Sequence, residues 1–123
     1  MSLAAPRIVL VEDDISLLNA LGFALEAEGY SVAPFTTAAD AIETAEAADC
    51  LVIDRKLPDM DGLALIARLR GRGIQAPAIL ITTNPDDHCR SAAADAGVAI
   101  VEKPLLDGEL RLRIEASIRG AQS

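Results

Sequence analysis

The sequence predicts an α/β domain in which helices cover both faces of a parallel sheet. Two observations carry that expectation. Short apolar runs rich in β-branched residues alternate five times with stretches of helical periodicity. Several of these runs are apolar throughout, as strands buried on both faces are. The chain has 123 residues and no linker, repeat or low-complexity tract, so it reads as one domain over residues 5–121. Hydrophobic residues make up 51% and aromatics only 2%, which requires an aliphatic, alanine-rich core.

Arg7–Val11 is the first strand, and it ends on Glu12, Asp13 and Asp14. A helix follows with Leu18, Leu21 and Leu25 at helical spacing and Gly29 as its stop. Ser31–Phe35 is a weaker strand, and Pro34 places it at a sheet edge because proline cannot donate to a ladder. Residues 37–48 form an amphipathic helix with Ala38, Ala41, Ile42 and Ala45 on one face. Cys50–Asp54 is a buried strand that stops on a carboxylate. In the next helix Leu63, Ile66 and Arg70 share one course, widened by Leu65 and Leu69, and Gly71 and Gly73 close it. Ala78–Thr82 is the fourth strand. An alanine-rich helix over 86–96 ends at Gly97, a fifth strand spans 98–101, and the last helix spans 107–118 with Leu110, Ile114 and Ile118 in line.

Composition excludes several classes. Eleven basic against nineteen acidic residues give a net charge of −8, which argues against a nucleic-acid surface and suits cationic partners, metal ions included. No apolar run approaches the ~20 residues of a membrane span, and no secretory signal is visible. The two cysteines, Cys50 and Cys89, cannot make a disulfide framework and read as reduced thiols of a cytosolic protein.

The strand ends carry the chemistry. Glu12 and Asp13, Asp54, Thr82 and Lys103 each follow or finish a strand, and in a parallel sheet these ends share one edge. Each has an ordinary alternative: an acid at a helix start, a turn aspartate, a strand threonine, a loop lysine. Together they point to one site. Two carboxylates ~4 Å apart repel by roughly 4 kcal/mol at an effective dielectric of 20, so such a cluster wants a cation. Oxygen-only ligands suit magnesium. Asp54 could then attack a phosphorus atom to give an aspartyl phosphate, with Lys103 and Thr82 stabilising its oxygens.

With Val11-Glu12-Asp13-Asp14, Asp54, Leu57-Pro58-Asp59-Met60-Asp61-Gly62, Thr82 and Lys103-Pro104, the chain resembles the receiver domain of two-component response regulators over nearly its whole length. The resemblance implies a flavodoxin-like, doubly wound five-stranded sheet of order 2-1-3-4-5. It implies Asp54 as phosphoacceptor, with a sensor histidine kinase or histidine phosphotransfer protein as donor. Glu12 and Asp13, joined by Asp54 and the main-chain carbonyl of Lys56, would hold Mg2+ or Mn2+. Thr82 would be the switch hydroxyl, Lys103 the phosphoryl-binding lysine, and Pro104 would follow it by a cis bond. Such a domain is a signalling phosphoacceptor with self-catalysed transfer and slow autodephosphorylation, not an ordinary enzyme. Its last strand and helix would bind an effector, an output domain or a second receiver as a homodimer. Nothing basic or helix-turn-helix-like follows Ile118, so no output domain is expected in this chain.

Two positions and one stretch depart from the family pattern. The switch position, normally aromatic, is Ile100, which cannot swing inward with the same amplitude. Thr83, where a small residue is usual, would crowd the phosphoryl entrance, and the stretch 97–103 is about one residue short. Lys56 and Asn84 hold positions that tune phosphoryl lifetime in the family. Ile100 favours a rival reading, a protein-binding module that works without phosphorylation; the intact acids, Thr82 and Lys103 disfavour it. A flavin-binding protein would need a phosphate loop where this chain has three acids. His88 and Cys89 are too few for a zinc site.

Overall fold

The computed structural model describes residues 5–105 and 108–121. Five strands, β1 (Arg7–Val11), β2 (Ser31–Phe35), β3 (Cys50–Asp54), β4 (Ala78–Thr82) and β5 (Val98–Glu102), alternate with five helices. These are α1 (Ile15–Ala27), α2 (Ala38–Thr44), α3 (Gly62–Gly71), α4 (Asp87–Ala96) and α5 (Glu109–Ala121). Every strand pair is parallel and the order is β2-β1-β3-β4-β5, with Pro34 on the edge strand. The fold is therefore the flavodoxin-like, doubly wound sheet that the sequence predicts.

Alternate strand residues feed two separate cores, as the period of two requires. Val9, Val11, Leu51, Ile53, Ala78 and Leu80 pack with α2, α3 and α4. Ile8, Leu10, Cys50, Val52, Ile79 and Ile81 pack with α1 and α5. The two layers differ in substance. Leu18, Leu25, Leu110 and Ile114 bury the helices of one face, whereas α2 and α4 bury Ala38, Ala41, Cys89 and Ala93 on the other.

Four helices differ from expectation in detail. The helix predicted over 37–48 is only Ala38–Thr44, because Ala45 turns extended (ψ 139°) and its carbonyl accepts from Arg72 Nη1 at 3.1 Å. Alanine periodicity runs on through Ala45 and Ala48, but a methyl group packs as well from an extended chain as from a helix. In α3 the buried course is Leu65, Ile66 and Leu69, while Leu63 and Arg70 are only half-buried. Arg70 turns aside to donate to the Ala96 carbonyl at 2.7 Å. Asp86 caps α4 instead of opening it, accepting from the Cys89 amide at 2.8 Å. The last helix runs on to Ala121, and the start expected at Asp107 lies outside the described residues.

Gly62 marks where this packing is tightest. A Cβ there would run into the Asp54 carbonyl oxygen and stand 2.9 Å from Arg55 Cα, both backbone atoms with no room to yield. Gly62→Ala is expected to lower stability by about 1–3 kcal/mol in urea unfolding. Gly22→Ala, inside α1 and 4.0 Å from Val32 Cγ1, is expected to raise it by about 0.5–1 kcal/mol. Equal effects of the two changes would contradict the close approach at Gly62.

Candidate functional site

β1 hands over to the site through Glu12, whose amide donates to the Phe35 carbonyl at 3.0 Å and so carries the sheet one residue further. The Glu12 side chain is 1% exposed, and its Oε2 accepts from the Asp14 amide at 3.1 Å. Asp13 is exposed. Asp14 serves α1 as its cap, accepting from the Leu17 amide at 3.1 Å.

Asp54 closes β3 and is 5% exposed. The Arg55 amide behind it donates to the Ile81 carbonyl at 2.9 Å, fixing this strand end against β4. Thr82 ends β4 and is 3% exposed; among the described residues its hydroxyl makes a single, long 3.4 Å contact, with the Thr83 carbonyl. Lys103 follows β5, its amide donating to the Thr82 carbonyl at 2.8 Å, and the Lys103–Pro104 bond is cis.

The side chains converge. Lys103 Nζ lies 3.0 Å from Asp54 Oδ1 and 3.2 Å from Glu12 Oε1. Among the described residues that Glu12 oxygen has no well-directed hydrogen bond, so its approach to the ammonium is a contact of charges. Glu12, Asp13 and Asp54 each bring an oxygen within 4.8 Å of the others, a group able to hold a metal ion. Asp54, Lys56, Thr82, Thr83 and Lys103 line a cleft of about 150 Å³. Thr83 therefore stands in its wall, and Lys56, exposed and paired with Asp61 by an antiparallel backbone bridge, forms its rim. Ile100 lies apart, half-buried against the core shared with α2, α3 and α4. His88 is exposed while its neighbour Cys89 is buried, so the two do not share a face.

The model of the response regulator receiver domain matches residues 8–115. This chain belongs to that family. It is 36% identical to the transcriptional regulatory protein BasR of Escherichia coli over 116 residues, covering 92% of this chain and 52% of BasR. The chain thus spans about half the length of the curated relatives it matches. Among solved structures, a CheY-like receiver domain from Methanospirillum hungatei is similar at 28% identity and a TM-score of 0.87, with 96% and 97% of the two chains covered. The BeF3-activated DrrB receiver domain is similar at 26% identity and a TM-score of 0.84, covering 94% of this chain and 98% of that one. No described helix of this receiver is long and apolar enough to cross a membrane.

Electrostatics at the rim follow from burial. Desolvation pushes the Asp54 carboxyl above its ordinary range and the Asp13 charge adds to that, against the pull of Lys103. Glu12 is raised for the same first reason, with the Asp54 charge also raising it and the Asp14 amide and Lys103 opposing. Burial would lower the Lys103 ammonium, but the close carboxylates of Asp54 and then Glu12 outweigh this and raise it. One ammonium faces three carboxylates, so the site keeps a negative excess suited to a hard divalent cation.

One clue outside the expected set is Asp59. Its two oxygens accept from the Ala38 and Ala39 amides at 3.0 and 2.9 Å, tying the loop after β3 to α2. The Pro58-Asp59 pair signals a turn but carries no sign of a partner some twenty residues earlier.

A carboxyl raised on folding favours the folded state below its unfolded value, and that contribution is lost as pH climbs through the folded one. In metal-free protein Asp54→Asn is therefore expected to flatten the loss of stability as pH rises above about 4. The variant's melting temperature at pH 7 is expected to exceed the wild type's, at about 4 °C per kcal/mol for a domain of this size. Melting curves across pH for both proteins check this; a lower melting temperature for the variant at pH 7 contradicts the sign.

Proposed function

We propose that residues 5–121 are a phosphoacceptor domain that receives a phosphoryl group on Asp54 from a phosphohistidine of a sensor histidine kinase or histidine phosphotransfer protein. The observation that carries this reading is the buried Asp54 carboxylate, 3.0 Å from Lys103 and at the edge of a small open cleft. A carboxylate kept there for packing alone would be a poor choice, since burial opposes its charge.

Transfer forms an oxygen–phosphorus bond at Asp54 as the phosphorus–nitrogen bond of the donor breaks, the bonding pair leaving with the imidazole. Glu12, Asp13, Asp54 and the main-chain carbonyl of Lys56 would hold Mg2+ or Mn2+. A cation bound there would supply positive charge for the phosphoryl oxygens. Lys103 stands where its ammonium can neutralise another of those oxygens. The Thr82 hydroxyl would give up its long 3.4 Å contact to donate to a third. Slow release follows when water attacks the phosphorus and Asp54 leaves as carboxylate.

The added charge would bias β5 and α5 between two arrangements, to be read by an effector, an attached output domain or a second receiver. BasR, named as a transcriptional regulatory protein, supports an output of that class. The acidic composition supports leaving nucleic acid contact to another domain, and the free, buried Cys50 and Cys89 fit a cytoplasmic setting. One observation favours a second reading, a binding module that is never phosphorylated: Ile100 supplies no aromatic ring at the switch position.

Beryllofluoride with Mg2+ distinguishes the two. The wild type is expected to show a higher melting temperature with both present, and Asp54→Asn to show no rise. A wild type that does not respond supports the unphosphorylated module. Thr83→Ala, which widens the cleft wall, is expected to speed phosphorylation by acetyl phosphate several-fold, because the β-branch crowds the entrance. An unchanged rate removes the crowding argument.

A further inference from the structure

The loop after β3 is held between two helix ends. On one side Asp61 caps α3, accepting from the Leu63 amide at 2.9 Å, while its other oxygen lies 3.8 Å from Arg55 Nε. The Gly62 amide donates to the Arg55 carbonyl at 2.7 Å and the backbones of Lys56 and Asp61 pair as an antiparallel bridge, which closes the turn on itself. On the other side Asp59 reaches out of the turn to α2. Its Oδ1 takes the Ala38 amide at 3.0 Å and its Oδ2 the Ala39 amide at 2.9 Å.

These are two of the four amides that a helix start leaves without intrahelical partners. Thr37 supplies a local cap for the next, accepting from the Asp40 amide at 3.2 Å. Asp59 therefore does something Thr37 cannot: it joins α2 to the segment that carries Lys56, three residues earlier and at the cleft. The joint is worth having because α2 is weak. It has seven residues, it buries alanines, and it ends in an extended Ala45. Helices that short depend on their caps and packing to form.

We infer that Asp59 is a positioning residue: by gripping the α2 N-terminus it sets the Lys56 loop for cation binding and makes α2 sense the state of the site. This rests on the phosphoacceptor reading and on Lys56 as a ligand. Linkage makes the effect reciprocal, so a cation that orders the loop also steadies α2, and loss of the grip weakens both.

The test compares Asp59→Ala with Thr37→Ala in the whole chain, titrated with MgCl2. Both remove a cap from α2, but only the first releases the loop. Asp59→Ala is expected to weaken Mg2+ binding about 10-fold, as loss of a group that orients a ligand does, with Asp59→Asn intermediate. Thr37→Ala is expected to stay within about twofold of wild type. Mg2+ should also slow exchange of the Ala41 and Ala45 amides in the wild type and leave them unaffected in Asp59→Ala. Should Asp59→Ala fail to fold, Asp59→Asn carries the comparison. Wild-type Mg2+ affinity in the Asp59 variants, equal weakening by Thr37→Ala, or α2 exchange indifferent to Mg2+ overturns the inference. A wild type that binds no Mg2+ removes the phosphoacceptor reading itself, and this inference with it.

Discussion

The constraint on which the rest of this structure depends is the contact of one ammonium with two buried carboxylates. Lys103 meets Asp54 and Glu12 from a position that only the sheet order makes available. β1 and β3 are neighbours, which sets the two acids side by side. β4 stands between β3 and β5, so the lysine must cross the end of β4 to reach them. Thr82 lies on that path, and its carbonyl takes the Lys103 amide. Four strand ends thus meet at one set of charges, where burial of two carboxylates costs stability that a single ammonium only partly offsets.

Much of this was legible in the sequence because parallel strands keep a simple promise. A run such as Cys50 to Ile53, apolar at every position, is buried on both faces, and whatever follows it falls at the same edge as its neighbours' ends. Pro34 marked the edge strand by the same kind of reasoning. The reading lost precision where side chains stop discriminating. Alanine at 45 and 48 fits helix and extended chain alike, so the end of α2 was set by the Arg72 hydrogen bond and not by pattern. Leu63 and Leu65 are chemically equivalent in sequence, and only the docking angle of α3 decides that Leu65 is the buried one. Long-range caps are the hardest case. Asp59 resembles any turn aspartate until the fold brings Ala38 and Ala39 to it.

The two faces of the sheet are built with different materials, and this bears on which helices can move. Burial of a leucine or isoleucine side chain is worth roughly 1.5–3 kcal/mol, and a methyl group far less. α1 and α5 sink such side chains into their core, whereas α4 sinks only Cys89 and Ala93. Polar tethers hold α4 instead: Arg70 to the Ala96 carbonyl, and Arg90 to Glu102 at 3.5 Å. Both involve exposed groups, which water screens and which contribute little to stability. Elements with little apolar burial are the ones that open at low free energy.

That asymmetry narrows how events at the cleft can reach α4 without an aromatic switch. Ile100 is already packed against the core beneath the helix, and an aliphatic side chain there has no ring to withdraw or insert. The connections from the end of β4 that bypass residue 100 are polar. Thr82 lies opposite Glu102 in the β4–β5 register, Glu102 pairs with Arg90 on α4, and the Thr82 carbonyl holds the Lys103 amide. On the phosphoacceptor reading, a displacement of Thr82 or Lys103 toward a phosphoryl group would therefore pull on the carboxylate that tethers α4, biasing that helix alongside β5 and α5. Because that tether is a screened surface pair, salt weakens it. The lever would be gentle, and its hold on α4 would depend on ionic strength in a way that the swing of a buried ring does not.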